Sequence, residues 1–153
     1  MEINVITTSA VQSSLDPTRV FGIILTNALS NIRMMHWFVL DHNAHEILGD
    51  LYSDLSDLFD KLEEEIIGTS KEYDVIFPLH DPACIKIHNI AAYQNNQSII
   101  DHYFETVNGV KNLLTSLEFN NYTNNVKSGI NNTKEEIISR INKSNYLLSM
   151  INL

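Results

Sequence analysis

Four stretches of the chain carry apolar residues three or four positions apart, the spacing that gives an α-helix one buried face. In the first, Phe21, Ile24, Leu25, Ala28, Ile32, Met35 and Val39 form the stripe. Asp16-Pro17 supplies a cap followed by proline at the first helical position, so a helix is predicted over 17–40. The second stripe is Ala44, Ile47, Leu48, Leu51, Tyr52, Leu55, Leu58, Phe59, Leu62 and Ile66, with acids on the opposite side. Asn43 with Glu46 three residues on reads as a capping box and Gly68 as a stop, which bounds this helix to 43–67. The third, Ile100, Tyr103, Phe104, Val107, Val110, Leu114 and Leu117, predicts a helix over 97–118. The fourth, Val126, Ile130, Ile137, Ile141, Leu148 and Ile151, predicts one over 121–151. Ser128-Gly129 is a possible break there, and Thr133 with Glu136 a possible later start.

Between residues 69 and 96 the periodicity is lost, Pro78 and Pro82 interrupt the chain, and a short helix fits over 83–92. Two tightly joined helices, a long connection and two further helices make an all-α chain. That order is the ferritin-like variant of the four-helix bundle, with a long crossover between the second and third helices. The 153 residues suit a single domain spanning 1–153, with 1–15 as an N-terminal tail and no internal repeat.

Charge changes the picture. The formal net charge is -9, and nearly all the excess lies between Asp41 and Glu65, where nine acidic residues stand against Lys61 alone. Such a segment repels a nucleic-acid backbone and attracts small cations; a solvated acidic helix face is the plainer reading. Residues 1–15 hold no Lys or Arg, so DNA binding is not expected. No stretch approaches the roughly 18–20 uncharged apolar residues of a membrane span, and no basic-then-apolar leader opens the sequence. The lone Cys84 has no internal disulfide partner, which fits a reducing cytoplasm, and reads as a small buried hydrophobe.

Bundles with a diiron site inside one subunit commonly carry Glu-x-x-His pairs, and none occurs here. Instead the chain has His36-Trp37 at the end of the first helix, His45 at the start of the second, and Asp60 and Glu64 further along it. Imidazole and carboxylate are ligand types for Fe(II), and for Zn or Mn as well. Asp60 and Glu64 lie one turn apart on one face. His45 and Asp60 are 15 residues apart, or about 22 Å along one helix, so one chain cannot bring them to one metal. Two copies paired antiparallel about a two-fold axis can, and they would form two identical sites. Taken singly, each residue has a plainer reading: His36 as a hydrogen-bonded packing residue, His45 as an exposed polar one, Asp60 and Glu64 as parts of the acidic face. His42 is an alternative to His45.

Jointly, His36-Trp37, His45, Tyr52, Asp60 and Glu64 resemble the signature of the Dps family, the starvation-induced mini-ferritins. In that family His-Trp ends the first helix and a His opens the second. An Asp follows that His fifteen residues later, and a Glu four beyond it. The motif covers roughly residues 28–68; chain length and helix order extend the likeness to the whole sequence. The resemblance implies a cytoplasmic shell of two-fold dimers, usually a dodecamer, that oxidises Fe(II) with hydrogen peroxide or oxygen and stores the ferric product. His36 and His45 would be metal ligands from one subunit, and Asp60 and Glu64 from its partner. Trp37 would stand beside the site and quench oxidising equivalents, with interface packing as the alternative; Tyr52 would pack. Two departures are visible: the connection from His36 to His45 is shorter than usual, and Gly49 stands where many members carry an acid.

Two other readings remain open. A redox-inactive helical assembly or scaffolding protein could keep the bundle without the chemistry. A small all-α nucleotide pyrophosphohydrolase could use magnesium on Asp60, Glu63 and Glu64 with Glu135 and Glu136, although His36 and His45 would then have no role.

Overall fold

The apolar stripes fold into helices that share one core. The computed structural model describes residues 17–68, 95–119 and 122–152. Among them are α1 (Pro17–Phe38), α2 (His42–Ile67), α3 (Asn96–Ser116) and α4 (Asn124–Ser149), with no strand. The core joins Leu25, Ile32 and Met35 of α1, Leu48, Leu51, Leu55 and Leu62 of α2, Tyr103, Val107 and Leu114 of α3, and Ile130, Ile137 and Ile141 of α4. Ile24, Phe104 and Val126 flank it, half-buried. On α4 the buried face is completed by two polar residues, Thr133 and Ser144, which fill the gaps in its apolar spacing. No helix among the described residues is long and apolar enough to cross a membrane.

Helix ends differ from the sequence reading where local hydrogen bonds decide them. The second helix is capped by Asp41, not Asn43: its side-chain oxygen accepts from the Ala44 N–H at 2.8 Å. Ala44 is fully buried, so the first turn belongs inside the bundle, and the cap falls two residues earlier than expected. The third helix begins at Asn96, capped by Asn95, whose side chain accepts from the Ser98 N–H. The fourth runs unbroken through Ser128-Gly129, so neither the break nor the later start at Thr133 occurs. Gly68 caps α2 with right-handed dihedrals, so its access to positive φ is not used. Pro78, Pro82, Cys84, the suggested helix over 83–92, Asp16 and the tail 1–15 lie outside the described residues.

Which helices touch sets the layout. α2 packs most extensively on α4 and α1, α1 also packs on α3, and α3 on α4. Consecutive α2 and α3 therefore take opposite corners. Along α2 and α4, Asp54 meets Arg140, Lys61 meets Glu136, and Glu65 meets Thr133, so these two helices are antiparallel. At the other end the Leu40 N–H donates to Asn96 Oδ1 at 2.8 Å, so α3 starts beside the α1–α2 corner. It follows that α2 and α3 run the same way. Gly68 and Asn95 lie at opposite ends of a bundle about 39 Å long, taken from the 26 residues of α2.

Candidate functional site

The α1–α2 corner spans only Val39, Leu40 and Asp41. Its tightness arranges the two histidines. Leu40, four residues after His36, would ordinarily donate its N–H to the His36 carbonyl, but donates to Asn96 instead. The His36 carbonyl is thus open to His45, whose Nδ1 lies 2.8 Å from it. Reciprocally, His36 Nδ1 lies 2.9 Å from the His45 carbonyl. The two rings stack with centroids 4.0 Å apart and planes 29° from parallel. A carbonyl only accepts, so both Nδ1 atoms must carry the proton. In each neutral ring Nε2 is then the unprotonated nitrogen, able to bind a metal, and the backbone carbonyl plays the orienting part that ligating histidines usually have behind them.

Gly49 completes the pocket for His36. A Cβ at this position would lie 2.8 Å from His36 Cε1, closer than such atoms approach, and 3.0 Å from Nδ1. The ring lies directly over the α2 backbone at a residue with no side chain. Beside it, the Arg33 guanidinium sits 4.7 Å from the Trp37 ring centroid and 5.8 Å from that of Tyr52, bracketed between the two aromatics. Trp37 is 55% exposed, while Tyr52 is half-buried and packs on the core. The alternative histidine, His42, is exposed and faces Glu46 at 3.4 Å.

Asp60 and Glu64 are exposed on α2, remote from the histidines on the same helix. Asp60 lines a cleft of about 310 Å³ between α1 and α2, together with Asp57, Glu63 and the hydroxyl-bearing Thr26, Ser30 and Ser56. Leu29 and Phe59 give this cleft an apolar part. Among the described residues, no three His, Cys, Asp or Glu side chains of one chain converge on a possible metal position. The structure thus brings His36 and His45 together, with Trp37 adjacent, and keeps Asp60 and Glu64 apart from them. Of the carboxylates considered for magnesium, Glu136 pairs with Lys61 at 3.3 Å and Glu135 is exposed.

Sequence reasoning passed over Gly49 as a positive feature and missed Arg33 altogether. Both had a signal. Gly49 is one turn after His45, and Arg33 one turn before Trp37, so each shares a helix face with a residue already singled out.

Compared with known protein families, curated proteins and solved structures, the chain matches none of them.

Proposed function

We propose that this chain is a Dps-type ferroxidase subunit on a ferritin-like bundle, with Fe(II) and hydrogen peroxide or oxygen as substrates. The observation that carries this reading is the His36–His45 pair. Two imidazoles are locked by reciprocal bonds into the tautomer that leaves Nε2 as donor, at the corner where the Dps-like motif expects ligands. Parallel α2 and α3 on opposite corners also fit a bundle with one long crossover.

In an isologous dimer of antiparallel copies, His36 and His45 of one subunit face Asp60 and Glu64 of the other, twice over. Carboxylates favour the ferric product through their charge, and imidazole accepts either oxidation state. Two Fe(II) ions each give up one electron; peroxide takes both with two protons and leaves as two waters. Trp37, exposed and next to His36 in the chain, would donate an electron when oxidation outruns the supply of Fe(II). The exposed acids of α2 draw cations toward the surface and disfavour DNA. Dimers of this kind would assemble further into a shell, such as a dodecamer, in the cytoplasm.

Complementation tests the shared site. A His36→Ala/His45→Ala chain and an Asp60→Ala/Glu64→Ala chain should each lose peroxide-driven Fe(II) oxidation, by on the order of 100-fold or more. Refolded together in equal amounts, half of the dimers are mixed, and each mixed dimer has one intact site and one doubly broken one. Activity should therefore recover to about a quarter of the unsubstituted level. A mixture as inactive as its parents would refute shared sites. A specific observation favours the scaffolding alternative: every exposed large apolar side chain among the described residues lies at the histidine end, as an assembly surface would require. Unsubstituted protein that assembles but oxidises iron only at the background rate would leave that reading in place.

A further inference from the structure

Glycine at position 49 is one of the two departures from the Dps-like pattern, and the geometry points to a purpose for it. We infer that Gly49 is a positioning residue: it seats the His36 ring, and so fixes both histidines as Nδ1–H tautomers whose Nε2 atoms each bind a divalent cation. The part of this inference that concerns the cation rests on the iron-site reading. The seating of the ring does not.

Three observations meet at this position. First, a Cβ on residue 49 would come within 2.8 Å of the His36 ring, and the atom it would meet is a ring carbon on a doubly anchored imidazole, not the loose end of a flexible chain. The His36 ring is held by its Nδ1 bond to the His45 carbonyl and by stacking on His45, so it cannot move aside without breaking both. Second, Gly49 has no positive φ, so its backbone is one that any residue adopts. Glycine in the interior of a helix lowers helix stability, and no conformational need offsets that here; close approach is what remains. Third, the corner is short. With only three residues between α1 and α2, His36 is drawn across onto α2 rather than standing off from it. The tight corner and the missing side chain are therefore one adaptation: the first brings the ring over, and the second makes room for it.

The tautomer is the chemical consequence. A neutral histidine side chain in water favours the proton on Nε2, which would block the more accessible nitrogen as a ligand. Two carbonyl acceptors reverse that preference in both rings. A face-to-face pair does not converge its two in-plane lone pairs on a single ion. Each ring therefore offers one donor, and the remaining ligands must come from elsewhere.

The test uses the full chain, with nitrogen-15 chemical shifts of the imidazoles and thermal melts as readouts. In the unsubstituted protein with neutral imidazoles, at least two of the six should show the Nδ1–H pattern. Gly49→Ala should return the His36 signal to the Nε2–H pattern and lower Tm. In a His36→Ala background the same Gly49→Ala change should instead raise Tm, because alanine is the better helix former once the ring is gone. Co(II) affinity, read from its visible absorption, should fall by roughly 10–100-fold in Gly49→Ala, as for loss of an orienting partner. Nε2–H signals for both rings in the unsubstituted protein, or a Tm change of the same sign in both backgrounds, would overturn the inference. The tautomer reading needs no substitution, so it decides the matter even if Gly49→Ala fails to fold. Nδ1–H tautomers and the Tm reversal without Co(II) binding would support the seat and sink the iron reading.

Discussion

The two ends of the bundle are built on different principles. At the histidine end, side chains bond to backbone: Asp41 caps α2, Asn95 caps α3, Asn96 holds the Leu40 N–H, and His36 and His45 hold each other's carbonyls. Buried Tyr103 donates to Asn145 nearby. At the far end, α2 and α4 are joined by the water-exposed Lys61–Glu136 pair and by buried Thr133, which donates to Glu65, and the α4 cap residue Thr123 makes no side-chain capping bond. Backbone donors and acceptors move little, so the first kind of bond fixes geometry. Pairs between long side chains in water fix rather little. The stacked histidine pair lies at the first end, while Asp60 and Glu64 are on an open helix surface.

The largest effect expected within one chain comes from Tyr103. Burial pushes its hydroxyl above the ordinary tyrosine value of 10.0, against the lowering influence of Arg140. Because the folded value is raised, the contribution is complete below pH 10 and is lost above it. There the unfolded chain gives up the proton while the folded chain keeps it. Unfolding free energy should fall by about 1.4 kcal/mol per pH unit beyond pH 10, and Tyr103→Phe should remove that part of the slope. Denaturant titrations at several alkaline pH values check this; an unchanged slope in Tyr103→Phe would break the contrast at the histidine end.

A smaller effect is expected from the cap. Asp41→Ala should cost about 1 kcal/mol, read by urea unfolding, because the Ala44 N–H loses its partner at a buried first turn. The smallest belongs to the far end. Glu136→Gln breaks a pair whose side chains are about half exposed, and should cost no more than roughly 0.5 kcal/mol. Were Glu136→Gln to cost more than Asp41→Ala, the rigid and open ends would have to be exchanged.

The fold was largely visible beforehand wherever burial alone decides it. Leu48, Leu51, Leu55 and Leu62 sit on one face of α2 because their spacing permits nothing else, and all are fully buried. On α4 the spacing was harder to see because Thr133 and Ser144 take positions in the buried face, and a polar letter in an apolar stripe reads as a gap. Caps were the weak point: Asp41 and Asn43 are equally good by residue type, and only the burial of Ala44 separates them.

The sequence by itself determined the helical periods, the concentration of acids on α2, and the axial separation that keeps His45 and Asp60 from one metal in one chain. Those follow from rise per residue and from side-chain chemistry, which are local. Only the tertiary structure decided that His45, not His42, partners His36, that both rings carry their proton on Nδ1, and that Gly49 is a seat for a ring. These depend on how two helices meet across a three-residue corner, and no local rule sets the distance between atoms on different helices.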